Sequence, residues 1–293
     1  MRVTNLSENV LAAIWQAQDN EQTVLEQLAS GKRVNRPSDD PAAAASEVLN
    51  RNQQDQVDQY LQSINSLNGG FQTADSALGS VITTLNQAIS LGTEAGSGTL
   101  STADRQALAA SIQGALDQVM QLANTSYQGS YIFGGTAIGS APFSVGATGI
   151  VYNGNDGVNQ ATIADGRSIQ TNVPGSQLFT QPGSDVMGSL EQLVAAVQSG
   201  DPAATSNATA AVSNALNYLS SQRLFYSNAM NELNNEQTAL NQESTDLKSQ
   251  ENTLIGADMA QTATELTQAQ TNDQAVLAAA AKVLPVTLLD YLK

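Results

Sequence analysis

Residues 202–255 read PAATSNATAAVSNALNYLSSQRLFYSNAMNELNNEQTALNQESTDLKSQENTLI. Asp201 and Pro202 pair a capping residue with a first-turn proline, and neither Pro nor Gly recurs until Gly256. The stretch predicts one helix of 54 residues, roughly 80 Å long at about 1.5 Å per residue. Tyr226, Leu233, Leu240, Leu247 and Leu254 recur every seventh residue, one half of a coiled-coil seam. The other half is poor, with Met230 followed by Gln237, Ser244 and Glu251, so this helix needs more than one neighbour. Residues 203–222 carry no charge at all, which suits burial against other helices or other subunits. A helix of this kind makes the chain mainly α.

Outward from it, a 3–4 apolar pattern continues through Ile255, Met259, Leu266, Ala269, Val276, Ala280 and Val283, interrupted by Thr262 and Asp273. Pro285 ends that pattern and leaves an apolar group at Leu288, Leu289, Tyr291 and Leu292. On the other side, Met187 to Ser199 predicts a short helix closed by Gly200. Residues 129–188 hold 12 of the 22 Gly and three of the seven Pro. Tyr131–Phe133, Gly149–Tyr152, Ala161–Ala164 and Ser168–Val173 are strand candidates there, separated by turn-forming Asn, Asp and Gly. They predict a small meander or barrel-like lobe.

The first part of the chain returns to helices. Val3, Leu6, Val10, Ile14, Ala17, Leu25 and Leu28 form a narrow stripe ended by Gly31. Pro37 breaks periodicity, and Asp40–Pro41 opens a helix to about Leu67. Gly69–Gly70 predicts a break, a further helix follows from Phe71 to Leu91, and residues 92–98 predict a loop. Ser101 with Asp104 is a capping box with the shorter carboxylate, starting a helix to about Tyr127. The whole is an elongated out-and-back chain: terminal coiled-coil helices, a helical rod, and an inserted β-rich outer domain. The expected division is 1–40, N-terminal helix of an inner domain; 41–135 and 186–255, the two parts of the rod; 136–185, the outer domain; and 256–293, the C-terminal inner helix.

Composition narrows function. Lys and Arg total 11 against 27 Asp and Glu, a net charge of −16, which argues against gripping phosphate backbones. The chain has no Cys and no His, which removes disulfides, thiolate nucleophiles, imidazole bases and His-based metal sites. Surface polarity comes instead from 24 Asn and 30 Gln. No apolar run approaches the roughly 18–20 residues that cross a bilayer, and Asn5, Glu8 and Asn9 interrupt the region where a cleavable signal has its apolar core. We therefore expect a non-enzymatic structural protein with no cofactor, no metal, no nucleic-acid partner and no membrane insertion. Such a protein is cytoplasmic or exported by a route that needs no cleaved signal.

Local motifs add little chemistry. Lys32, Arg33 and Arg36 stand beside Ser38, Asp39 and Asp40, which cancel much of the local field, so a linker held by ion pairs and caps outweighs an anion site. The two carboxylates at a helix start complement its dipole rather than form an acid–base pair. Residues 153–157 lack the alternating acidic ligands of a calcium loop. Three Asn-X-Ser/Thr triplets are expected by chance in so Asn-rich a chain. Trp15 lies just off the first stripe and reads as an interface residue.

The terminal helices pose an energetic question. Their stripes mix Ala with Val and Leu, so little apolar area is buried per turn, at about 25 cal/mol per Å², against about 1–2 kcal/mol of entropy per ordered residue. The pair is marginal alone and should order when packed by several neighbours. The alternative is a self-contained bundle whose ends fold back.

The segment SGKRVNRPSDDPA, residues 30–42, resembles the N-terminal signature of the bacterial flagellin family, and its Pro37–Pro41 variant is most similar to the hook-associated members. Residues 98–101 with Arg105, 131–135, 152–156, 164–166 and 172–175 are similar to that branch, and Leu288–Leu292 resembles the family's C-terminal tail. The resemblance implies a structural component of the flagellum at the hook–filament junction. Its implied partners are flagellin, hook-associated protein 1 and copies of itself in a ring. It also implies export through the flagellar type III apparatus, an export chaperone, and an extracellular location. On this reading Val3, Leu6, Val10, Ile14, Leu25, Leu28, Ile255, Met259, Leu266, Ala269, Val276, Leu288 and Leu292 form the inner helical packing and assembly surface. Lys32, Arg33, Asn35, Pro37, Ser38, Asp39, Asp40 and Pro41 form the inter-domain linker. The rival readings are the filament subunit itself and a type III-secreted helical translocator.

Overall fold

The computed structural model describes residues 2–97, 99–147 and 149–291, with side chains over 8–97, 99–147 and 149–282. In chain order the elements are α1 (Arg2–Ser30), α2 (Pro41–Ala95), α3 (Thr102–Ala123), β1 (Ser126–Tyr127), β2 (Ser130–Tyr131), β3 (Phe143–Gly146), β4 (Gly149–Tyr152), β5 (Gln160–Ala164), β6 (Arg167–Gln170), α4 (Gly175–Phe179), α5 (Val186–Ser199), α6 (Pro202–Ile255) and α7 (Met259–Tyr291). The fold is mainly α with small antiparallel sheets. It separates into a unit of residues 1–57 with 242–293 and a unit of residues 58–241, so α2 and α6 each contribute to both.

Aspartates start most of the helices. Asp40 Oδ1 accepts from the Ala43 N–H at 3.0 Å, Asp185 Oδ1 from Gly188 at 2.8 Å, Asp201 Oδ1 from Ala203 at 2.9 Å and Asp258 Oδ1 from Ala260 at 2.9 Å. Each occupies donors that the first turn cannot satisfy and places negative charge at the positive end of the dipole. At α3 the Asp104 N–H donates to Ser101 Oγ at 3.2 Å while Asp104 Oδ2 accepts from the Ser101 N–H at 3.3 Å, the reciprocal box that the shorter carboxylate still closes. Gly200 ends α5 at φ +73°, where a side chain would be strained.

The break expected at Gly69–Gly70 is absent: α2 runs through it for 55 residues. Two interior glycines weaken a helix by about 1–2 kcal/mol together. Packing overrides that cost, because Ile64, Phe71, Ala74, Leu78, Val81, Leu85 and Ala88 form a buried 3–4 seam across the pair. Nor does the loop expected over 92–98 begin at Gly92. The helix continues to Ala95, and Gly92 makes room for Thr209 and Leu193, which an added Cβ would strike. Within the 58–241 unit, Phe71 meets Tyr226 edge-on at 5.9 Å and Tyr226 meets Phe225 at 5.2 Å. The heptad positions Tyr226, Leu233, Leu240 and Leu247 of α6 are all buried. The other half of the seam runs through Ala229, Glu236 and Ser244, one residue before the expected Met230 and Gln237, and Arg167 on β6 pairs with Glu236.

Among the described residues, the middle of the chain forms no barrel or meander but three separate two-stranded ladders, pairing β1 with β2, β3 with β4 and β5 with β6. Strands of two to five residues are too short to extend into one sheet, and side chains close their edges. Asn124 accepts from the Phe143 N–H and donates to its carbonyl, both at 2.9 Å. Glu191 Oε1 on α5 accepts from the Ile150 N–H at 3.0 Å. The lobe's core is aromatic: Phe133 and Phe143 each meet Phe179 of α4 edge-on at 5.4 Å.

Candidate assembly interface

In the unit of residues 1–57 and 242–293, the chain leaves α1 through Gly31 at φ +68°. The residues that follow lie antiparallel to the junction of α6 and α7. The Arg33 N–H donates to Ile255 O at 2.6 Å, the Ala257 N–H donates to Gly31 O at 3.0 Å, and Lys32 bridges Gly256. Val34 turns inward on Ala43 and Ile255, with Leu254 and Ala44 beside them, a small apolar cluster that clamps the linker onto two helices. Of the expected packing residues, Ile255 therefore belongs to this linker cluster rather than to the pairing of the terminal helices.

The linker signature is a network of caps and ion pairs. Asp39 Oδ2 accepts from the N–H groups of Arg36 at 2.8 Å and Asn35 at 3.1 Å. The Arg36 N–H is the chief reason its carboxyl titrates below the ordinary range. Asp40 is lowered too, first by the Ala43 N–H and then by Arg33, whose Nη2 donates to it at 3.1 Å and to Leu254 O at 3.0 Å. Lys32 pairs with Glu251 at 3.3 Å and Arg36 with Glu26 at 2.9 Å. Glu251 is held low mainly by the Gln54 amide, with Lys32 next. Asn35 Nδ2 donates to Lys32 O at 3.0 Å, and Ser38 Oγ donates to Asp39. Pro37 and Pro41 are exposed, Pro41 as the first residue of α2. Every basic side chain of the segment is thus spent on a carboxylate.

The Gly31–Ala257 bond sets the end of α1 beside the start of α7, so the two pack antiparallel. The buried or half-buried positions of α1 include Val10, Ile14, Ala17, Glu21, Val24 and Leu28, with Glu26 and Gln27 half-buried beside the linker; those of α7 are Thr262, Leu266, Ala269, Asp273, Val276 and Ala280. Apart from Glu26 and Gln27 at the linker end, both sets follow alternating 4–3 spacing. Two expected packing residues face outward: Leu25 is 44% exposed because Val24 holds the seam register, and Met259 is 49% exposed because Thr262 does. Glu21 and Val24 were hidden from a purely apolar search by the charge in the stripe; the strict heptad spacing is the signal that finds them. The seam is loose. An open groove of about 690 Å³ lies beside Ala13, Ala17, Ala269 and Val276, and Asp273 Oδ1 is buried without a hydrogen-bond partner. Outside the seam, Trp15 is 65% exposed and Leu11 and Leu277 are nearly half exposed. The expectations on Val3, Leu6, Leu288 and Leu292 lie outside the residues whose side chains are described.

Residues 3–137 match the bacterial flagellin N-terminal helical region. That region takes in just under half of the 293 residues, and by it the chain resembles the bacterial flagellin family. Flagellar hook-associated protein 3 of Salmonella typhimurium is 36% identical over 182 residues, which cover 61% of this chain and 57% of that relative. The chain thus spans little more than half the length of the curated relative it matches. A putative flagellar hook-associated protein from Vibrio parahaemolyticus has the same fold, with a TM-score of 0.69, 19% identity, and coverage of 74% of this chain and 99% of its own. So does the flagellar junction protein FlgL from Legionella pneumophila, with a TM-score of 0.61, 15% identity, and coverage of 72% and 99%. Among the described residues, no helix is long and apolar enough to cross a membrane, and no group of three or more carboxylates converges as metal ligands.

Proposed function

We propose that this chain is a non-enzymatic structural subunit of the bacterial flagellum, seated at the hook–filament junction, where its terminal helices finish folding by docking against neighbours. The observation that carries the proposal is the character of the α1–α7 pair. Its seam spends positions on Ala17, Ala269, Ala280, Glu21, Asp273 and Thr262, while Leu11, Trp15, Leu25, Met259 and Leu277 stand in solvent. Large apolar side chains left out of a poorly filled seam are the mark of an incomplete interface. The name of the Salmonella relative supports a place among hook-associated proteins. Flagellin on one side, hook-associated protein 1 on the other and copies of this chain in a ring are the partners this reading requires. Export follows through the flagellar type III apparatus, with a chaperone covering α7 beforehand, to an extracellular position. Within the subunit, residues 1–40 and 256–293 form the inner domain, 41–135 and 186–255 the rod, and 136–185 the outer lobe.

Deleting the gene tests this. Cells should keep their hooks, lose motility and leak flagellin into the medium, and plasmid-borne wild type should restore filaments. The purified chain should not polymerise alone. Long filaments from pure protein would make it the filament subunit instead, and a motile deletion strain would overturn the junction role.

A further inference from the structure

We propose that Tyr127 is a latch on a bendable point in α2, seated in a notch that Gly69 and Gly70 cut into the helix. Glycine is the residue least suited to a helix interior, yet two stand side by side in the middle of α2. The space they leave is filled from across the 58–241 unit. A Cβ on Gly69 would overlap the Tyr127 hydroxyl and come within 2.9 Å of Cζ, and one on Gly70 would lie 3.6 Å from Cδ1.

Two independent features mark the position as a joint rather than a packing accident. Tyr127 is delivered by a two-residue hairpin turn in which Gln128 adopts φ +51° and Gly129 φ +82°. Gln128 is the sole non-glycine residue with positive φ among those described, a strained conformation retained where the side chain next to it must be aimed. Tyr127 borders two open cavities. One of about 300 Å³ is lined by Gly70, Phe71 and Tyr131, and the other, of about 630 Å³, by Gly69, Thr73 and Leu122. The ring therefore has room to leave its seat without displacing a packed core. With Tyr127 seated, α2 is buttressed straight through the glycine pair. With it lifted, the weakest turn of the helix faces solvent, and the buried Phe71 immediately beyond becomes the pivot.

The test uses the full chain, which has no native cysteine, with spin labels on cysteines at exposed Gln59 and Asn86. A straight helix holds these backbones about 40 Å apart. The unaltered protein should give one narrow distance distribution. Tyr127→Ala should broaden it towards shorter distances and speed hydrogen exchange at the amides of residues 70–77 by about tenfold or more, while the facing amides of α6 change little. Adding Gly69→Ala and Gly70→Ala to Tyr127→Ala should restore both readouts, since the helix then needs no latch. A distribution as narrow as the parent's in Tyr127→Ala, with exchange within about twofold, would overturn the proposal. If Tyr127→Ala fails to fold, Gly69→Ala carries the test. Its added methyl must displace the tyrosine, so unchanged Tyr127 ring resonances would equally refute the notch.

Discussion

Ile255→Ala is the sharpest test of how the linker is held. Ile255 is 3% exposed and is the largest side chain in the cluster with Val34 and Ala43. Its backbone carbonyl also accepts from the Arg33 N–H at 2.6 Å. Truncating a buried isoleucine costs about 2–5 kcal/mol. This cluster is small and bordered by half-buried Leu254 and Ala44, so it collapses partly onto the vacated space, which places the cost near the lower bound. About 2 kcal/mol is roughly a 30-fold increase in the open population. The substitution leaves every hydrogen-bonding group of the linker in place, so the effect reads packing alone. Hydrogen exchange should show the Arg33 and Ala257 amides opening about 30-fold more often, while amides around Leu78 and Leu85, buried in the other unit, keep their protection. Exchange at Arg33 and Ala257 unchanged within about threefold would refute the clamp. Equal loss in both units would show that the linker cluster is not an independent element of stability.

Phe133→Ala removes a fully buried ring set edge-on against Phe179. It should destabilise the β lobe by about 3–5 kcal/mol, seen as loss of dispersed methyl and aromatic NMR signals from residues 131–179 with the long helices retained by circular dichroism. Acid should loosen the linker in a defined window. Asp39, Asp40 and Glu251 all titrate below their ordinary values when folded. Their stabilisation is thus complete above about pH 5, starts to decline near the ordinary carboxylate values and is gone once pH has fallen through the lowered ones. The amide shifts of Asn35, Arg36 and Ala43 should hold steady from pH 6 to about 4 and collapse only below it; a collapse already complete at pH 5 would contradict the network.

What could be read in advance was local. Asp201–Pro202, the absence of a breaker before Gly256, and the heptads from Tyr226 to Leu247 each act within a few turns, and α6 follows them from Pro202 to Ile255. Gly69–Gly70 looked like punctuation because its reason for being glycine sits on Tyr127, on another element entirely. The Phe143–Gly146 strand was missed because its pairing and its Asn124 clasp are both tertiary. On the terminal helices the apolar stripe was visible but its register was not. Leu25 is the larger hydrophobe, yet Val24 lies inward because it falls on the seven-residue spacing with Ala17. That substitution of roles carries an argument about assembly. If α1 and α7 were meant to be stable as a bare pair, the bulkiest side chains would occupy the seam and the carboxylates would face water. The arrangement is mixed: Ile14, Leu28 and Leu266 share the seam with Glu21 and Asp273, while Trp15, Leu25 and Met259 look outward. A helix pair built this way gains more from a third and fourth helix laid against its outer faces than from tighter closure on itself.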